Sequence, residues 1–395
     1  YEVINATLDA NTETQLYPTN KLKLVFVSDQ GNQKKGFKIS QVNGVKYDIK
    51  TITLEEARKA TLSVAQVPEW LVTRNYTVVK ELEGKLNADV VGVKEGKKDL
   101  VRLAKNGYVA GRTDNKPIAT TLLAGPTGTG KSYIAQKMAE YMGVKLITMD
   151  MTSYKDQYSI RSFIEVMSRN LTNNPFAMYL FEEIDKASVE VLDQLYFMMD
   201  EGVFYDAHQR PLFARGAFIM MTTNAGADVI LNNPNDPDLR NKVLKDLRNY
   251  FRDSFLNRFD AISLFKPFSD AEFLQLSHIL INKKIGKIKS FYDWTMKVDE
   301  ETYTYVAING RSAEYGARPI ERLVEGTLGI GIADFQLEYG AIPPGSEIQL
   351  IKLPEAHKFR ISANGLAVDY TVDSQSLQLF FKNQKNKTLF KVLKN

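Results

Sequence analysis

Four short apolar runs set the rhythm of the central chain: "ATTLLAG" from Ala119, "KLITMDM" from Lys145, "AMYLFEE" from Ala177 and "AFIMMTTN" from Ala217. Each is apolar on successive residues and is separated from the next by stretches that include helical spacing. That pattern reads as strands buried on both faces of a parallel α/β sheet. The period changes on either side. "GFKISQVNGVKYDIKT" places Asn43-Gly44 between two alternating runs, and "FRISANGLAVDYTV" does the same around Asn364-Gly365, so each predicts a β-hairpin. "NNPNDPD", residues 232–238, is a surface loop by its Pro, Asn and Asp content. After Pro267 the pattern turns helical, with Ile320, Leu323, Val324 and Leu328 spaced for one buried face.

Composition narrows the classes further. A chain of 395 residues is too long for one core, and 44% apolar with 25% charged residues is an ordinary globular balance. No apolar run approaches the roughly 20 residues that cross a bilayer, and "YEVINATLDA" lacks the parts of a signal peptide, so the sequence reads as cytoplasmic without a membrane span. The absence of cysteine excludes disulfides, zinc-thiolate sites and thiol nucleophiles. A net charge of +4 is no footprint of an obligate nucleic-acid binder.

Chemistry enters at "LLAGPTGTGKSYIA". Gly125, Pro126, Thr127, Gly128, Thr129, Gly130, Lys131 and Ser132 satisfy G-x-x-x-x-G-K-[ST], after a strand-like run and before a helical one. Glycines there let backbone N–H groups close around phosphate oxygens at a helix N-terminus. Lys131 would reach the β- and γ-phosphates of ATP and Ser132 would ligate Mg2+. Hydrolysis needs acids at a neighbouring strand end, and "MYLFEEID" supplies two: Glu182 for the metal shell and Glu183 to polarise the attacking water. Away from such a loop, the same pair would read as a solvated helix start.

With "VVG" at 90–92, "GPTGTGKS", "LFEEIDKAS", "DEGVFYDAHQRPLFARGAFIMMTTNAG", "FLNRFDAISLFKPFS" and "YGARPIERLVE" in order, residues 90–351 resemble the AAA+ ATPases, in particular the second ATPase ring of Clp-type unfoldases and disaggregases. The resemblance implies a P-loop parallel-sheet nucleotide domain (81–268) and a small, mostly helical lid (269–353), here flanked by β-rich segments 1–80 and 354–395. It assigns Asn224 to the first sensor, Arg258 to an arginine finger acting on a neighbouring subunit, Arg318 to a second sensor on the lid, and Val90 and Val91 to the adenine pocket. Taken alone, the first three would read as a turn asparagine, a surface arginine and a helix-start arginine. The resemblance also implies ATP and Mg2+ as cofactors, a ring-like homo-oligomer such as a hexamer, and a protein client.

The departures are specific. Family members mostly carry Asp where Glu182 stands. After "MTSYKDQYSIRSF" the aromatic Gly-Tyr-Val-Gly pore loop is expected, yet "IEVMSRNLTNNPF" runs straight into the acidic strand. Tyr154 and Tyr158 are the nearby aromatics, and both read as packing or surface residues. No Ile-Gly-Phe or Ile-Gly-Leu tripeptide lies between Gly226 and Arg258, which argues against a Clp-type protease partner. These features leave an ATPase that remodels a protein complex without threading it, a nucleotide-controlled assembly scaffold with slow hydrolysis, or, on the lysines at 382, 385, 387, 391 and 394, a DNA-acting loader. The third is the weakest, because a short Lys-rich end is usually a solvated terminus.

Overall fold

The computed structural model describes residues 67–112, 114–312, 316–373 and 375–377. The expected hairpin at Asn43-Gly44 and the basic tail beyond residue 377 lie outside them. In chain order the elements are α1 (Glu69–Val72), α2 (Thr77–Asp89), α3 (Lys94–Ala104), β1 (Ala119–Ala124), α4 (Lys131–Met142), β2 (Leu146–Asp150), α5 (Ile160–Asn173), β3 (Met178–Glu182), α6 (Val189–Glu201), β4 (Val203–Tyr205), β5 (Pro211–Phe213) and β6 (Phe218–Thr223). Then follow α7 (Ala227–Asn232), α8 (Leu239–Leu247), α9 (Asp253–Leu256), β7 (Ala261–Leu264), α10 (Asp270–Tyr292), β8 (Thr295–Val298), α11 (Glu300–Asn309), α12 (Arg318–Tyr339), β9 (Glu347–Lys352), β10 (Lys358–Ala363) and β11 (Leu366–Thr371).

The four apolar runs are the four strands β1, β2, β3 and β6. They join β7 in a five-stranded parallel sheet of order β2-β3-β6-β1-β7. Alternate side chains divide two cores. Leu122, Tyr179, Phe181, Ile219 and Met221 face one layer with α5, α6 and α8, while Leu123, Met178, Leu180, Phe218 and Met220 face the other with α2, α3 and α4. The fifth strand was not among the expected runs, because "AISL" is too short to stand out.

A third core holds the smaller unit. Ile320, Leu323, Val324 and Leu328 are all buried along α12, as their spacing requires. A Ser269–Glu272 capping box starts α10. The Asn364-Gly365 hairpin forms, with both residues at positive φ between the paired Ala363 and Leu366. It is not a separate extension. β10 pairs with β9, and β9 pairs in parallel with β8, so one four-stranded sheet β11-β10-β9-β8 unites the lid and the hairpin across the expected boundary at 353. At the other end, the segment expected to be β-rich up to residue 80 is helical in its described part. Val79, Leu82 and Leu86 repeat at helical spacing and are buried, which makes α2 part of the large unit's core. Among the described residues no helix is long and apolar enough to cross a membrane.

Gly202 ends α6 in a left-handed conformation, φ +66°, and a Cβ there would lie 1.7 Å from the Asn115 carbonyl oxygen. Gly202→Ala should therefore destabilise the large unit by more than about 2 kcal/mol in urea unfolding. A change within about 0.5 kcal/mol would show that the backbone at Asn115 and Lys116 yields freely.

Candidate active site

In a parallel sheet every strand delivers its C-terminal end to the same edge, and here three neighbouring strands carry the chemistry. β1 runs into Gly125, β6 into Asn224 and β3 into Glu182 and Glu183. The loop at Gly125 is built for close approach. Gly125, Gly128 and Gly130 have φ of +154°, +76° and +90°, and a Cβ on Gly125 would come within 2.2 Å of the Phe265 carbonyl oxygen. Gly125 N–H donates to Thr223 O (3.2 Å) and Thr129 Oγ1 to Pro126 O (2.9 Å), which ties the loop to β6 and to itself. Gly130 caps α4, so Lys131 and Ser132 open a helix pointing its N-terminus at the loop.

Lys131 is 8% exposed. Its Nζ donates to Gly125 O (2.6 Å), Pro126 O (2.8 Å) and Asn224 Oδ1 (3.0 Å). Burial is the main cause that pushes this ammonium down to about 8; the Arg318 charge acts in the same direction, and Asp185, Glu183 and Glu182 oppose it. Ser132 Oγ donates to Glu182 Oε1, so the two expected metal ligands are already in contact. A buried cation held by neutral acceptors, beside a hydroxyl paired with a carboxylate, is a donor set that fits a polyphosphate with its divalent cation. The longer Glu182 reaches Ser132 without difficulty.

Glu183 sits at φ +54°, a conformation that costs a non-glycine residue roughly 1 kcal/mol. Its backbone N–H donates to Thr222 Oγ1 at 3.2 Å. Asp185, whose side chain is 2% exposed, accepts from Thr223 Oγ1 (2.6 Å) and more distantly from Asn224 N–H (3.4 Å), and pairs with Lys186. Thr222, Thr223 and Asp185 thus fix the acid and the amide relative to each other. Sequence reading missed all three, and the only available signal was a second carboxylate two residues beyond Glu183.

The lid meets this edge directly. Ala317 N–H donates to Gly128 O (3.2 Å), and Gly316, at φ +57°, leaves room for the Thr127 and Gly128 carbonyls that a Cβ would meet at 2.8 Å. Arg318 follows at the exposed start of α12, close enough for its charge to be felt at Lys131. Val90 and Val91 are 3% and 4% exposed where α2 ends. Val90 has both backbone groups engaged: its N–H donates to Leu86 O, and its carbonyl accepts from the buried Lys97 Nζ at 2.8 Å. Burial holds that ammonium below its ordinary value. Beside it a cleft of about 440 Å³ opens between Asp89 and Tyr133 on one side and His278, Ile279, Asn282 and Lys283 of α10 on the other.

Arg258 is not in this constellation. Its carbonyl accepts from Thr120 Oγ1 (2.7 Å), level with the start of β1, whereas the phosphate loop begins after Ala124. At about 3.3 Å per residue the two lie at opposite ends of the sheet, some 16 Å apart. The structure therefore brings together Gly125 to Ser132, Glu182, Glu183, Asn224 and Arg318, and leaves Arg258 out.

Known families match this layout. Residues 116–262 match the AAA domain of the Cdc48 subfamily, and residues 269–350 match the C-terminal, D2-small domain of ClpB protein. Similar proteins include Chaperone protein ClpB of Prochlorococcus marinus, 27% identical over 65% of this chain and 32% of the relative, and Heat shock protein hsp98 of Neurospora crassa, 32% identical over 64% and 30%. Chaperone protein ClpC4, chloroplastic, of Oryza sativa is 26% identical over 69% and 32%. The chain spans about a third of the length of these curated relatives. The two matched domains, in this order, make residues 116–350 an AAA+ ATPase unit of the Clp type.

A bound polyphosphate favours the charged form of Lys131, so binding takes up a proton wherever the free site has lost one. Affinity for ATP should be full below about pH 8 and fall above it, by up to about tenfold per unit. Titration calorimetry from pH 7 to 9.5 reads this directly. A flat profile would show the free Lys131 to be fully charged throughout.

Proposed function

We propose that this chain binds and hydrolyses ATP and uses the cycle, in a ring-like homo-oligomer, to remodel or disassemble a protein complex. The observation that carries the reading is the convergence of Lys131, Asn224 and the Ser132–Glu182 pair on one sheet edge, with Glu183 held beside them. Lys131 and the loop N–H groups would hold the phosphates. Ser132 and Glu182 would hold Mg2+, which when bound neutralises charge on the phosphates. Glu183 would accept the proton of the attacking water, and Asn224, already anchored by Lys131 and Asp185, would orient it. Arg258, remote from its own site, would complete the site of a neighbour. Arg318 would report nucleotide state through the lid, and Val90 and Val91 would line the base pocket.

The mode of work follows from the segment between β2 and β3, in which α5 runs unbroken from Ile160 to Asn173 through the place after Phe163 where the pore loop is expected. Residues 151–159 make only two tight turns, capped by Asp150 (from Thr152 N–H, 2.9 Å) and Asp156 (from Tyr158 N–H, 2.9 Å, and Ser159 N–H, 3.0 Å). Tyr154 packs edge-on against the buried Phe163, ring centroids 5.3 Å apart, while Tyr158 is 84% exposed on the turn before α5. A helix continuous through that place, entered by turns this tightly tied, supports remodelling without an aromatic pore loop. It also favours the second reading, an ATP-controlled assembly scaffold in which slow hydrolysis resets the oligomer. Turnover stimulated by a client separates the first from the second. Nothing in the nucleotide site calls for a Clp-type protease or for DNA.

Lys131→Ala should abolish ATP binding, whereas Glu183→Gln should bind ATP and lose turnover by roughly two to four powers of ten, measured by calorimetry and phosphate release. Near-parent turnover in Glu183→Gln would remove the acid from its assigned role. In a fluorescence assay with a tagged, stably folded substrate, no processive unfolding is expected, and Tyr158→Ala should leave ATPase activity within about twofold of the parent. Unfolding that disappears in Tyr158→Ala would establish threading by a shortened loop.

A further inference from the structure

Arg258 is held at both ends by its own chain. On the backbone side, Thr120 Oγ1 donates to its carbonyl at 2.7 Å and its N–H donates to Phe255 O at 3.1 Å. Two residues on, Asp260 accepts from Thr120 N–H (2.8 Å) and from Arg112 Nη1 (3.0 Å). On the side-chain side, Nη2 donates to Tyr196 Oη at 2.8 Å, and the guanidinium carbon lies 5.1 Å from the centre of the same ring. Nε comes within 2.8 Å of Asp200 Oδ1 as an ion pair, without hydrogen-bond alignment. Asp200 is itself balanced by Lys116 at 3.5 Å. Nη1 has no hydrogen-bond partner among the described residues.

We propose that Tyr196 and Asp200 are positioning residues for Arg258, holding its guanidinium in one orientation for the nucleotide site of another copy of this chain. The proposal rests on the reading of Arg258 given above. A free arginine side chain carries rotamer entropy worth about 2 kcal/mol, which is lost when it settles on a phosphate. Here the loss is taken at folding. Tyr196 holds one Nη and lies against the guanidinium, Asp200 holds the Nε side, and the Nη1 end is left for an incoming anion. Lys116 matters because an unbalanced Asp200 would oppose that anion. With Lys116 in place the Lys116–Asp200–Arg258 group keeps a net positive charge. Tyr196 and Asp200 lie one turn apart on α6, so the mount is a property of one helix face.

The test uses the full chain at a concentration where turnover no longer depends on concentration. Tyr196→Phe keeps the ring and removes the hydroxyl; Asp200→Asn keeps the shape and removes the charge. Each should lower kcat for ATP by about tenfold with KM within about twofold and an unchanged melting temperature. In an Arg258→Ala background neither should cause a further loss. Mixed with Lys131→Ala subunits, whose Arg258 is intact, Tyr196→Phe subunits should regain turnover, a rescue that a purely local defect would not allow. Parent kcat in both variants, or a loss that persists in the mixture, overturns the mount. If Arg258→Ala itself turns over at the parent rate, the reading of Arg258 fails and the mount fails with it. If Arg258→Ala is inactive while both mount variants are unaffected, Arg258 keeps its role and only the mount falls.

Discussion

The parallel register of β3, β6 and β1 is the constraint on which the site depends. Phe218 of β6 stands opposite both Met178 and Ala119, and the three strands then climb in step until Thr223 faces Ala124. Only in this register do the phosphate loop, the amide of Asn224 and the two glutamates emerge at one level. A slip of one residue would turn Met221 and Ile219 into the opposite core and carry Asn224 away from Lys131. The same direction of travel explains Arg258. It stands ahead of β7, at the end of the sheet where strands begin, so the geometry that assembles the site also excludes that residue from it.

What could be read from the sequence was what local pattern controls. Strands buried on both faces announce themselves as unbroken apolar runs, and the phosphate loop is one contiguous segment whose glycines have conformational reasons to be there. The Asn364-Gly365 turn was legible for the same reason, because positive φ at two successive residues restricts the choice of side chain. Strand partners were not legible. Nothing in "TMKV" or "EIQLIK" says that they pair with each other, or that β10 joins them, since hydrogen-bond partners leave no trace in period-two alternation. Nor did the residues that aim the chemistry stand out. Asp185, Thr222 and Thr223 act through contacts between strand ends some forty residues apart in the chain. Tyr196 and Asp200 meet Arg258 across a longer gap still, 62 residues in the case of Tyr196.

Several of the chain's positive-φ residues lie where the candidate chemistry is. Glu183, Gly125, Gly128, Gly130 and Gly316 all adopt positive φ; a hydrogen bond holds Glu183, and at Gly125 and Gly316 a close backbone contact forbids a larger residue. A non-glycine residue in this conformation, as Glu183 is, persists only when its surroundings over-determine it. Phe265 presses on Gly125, Thr222 holds Glu183, and the Thr127 and Gly128 carbonyls crowd Gly316.

The sheet shared by the lid and the C-terminal hairpin makes the small unit a lever. Its short arm is Gly316–Ala317, resting on the phosphate loop. Its long arm is α12, 22 residues or about 33 Å of helix, braced by the Tyr370 hydroxyl on the Thr327 carbonyl at 2.6 Å. A 10° rotation at the fulcrum would sweep the far end of that arm through about 6 Å. Because β8 to β11 share one core with α12, such a rotation would carry the hairpin with it as a displacement.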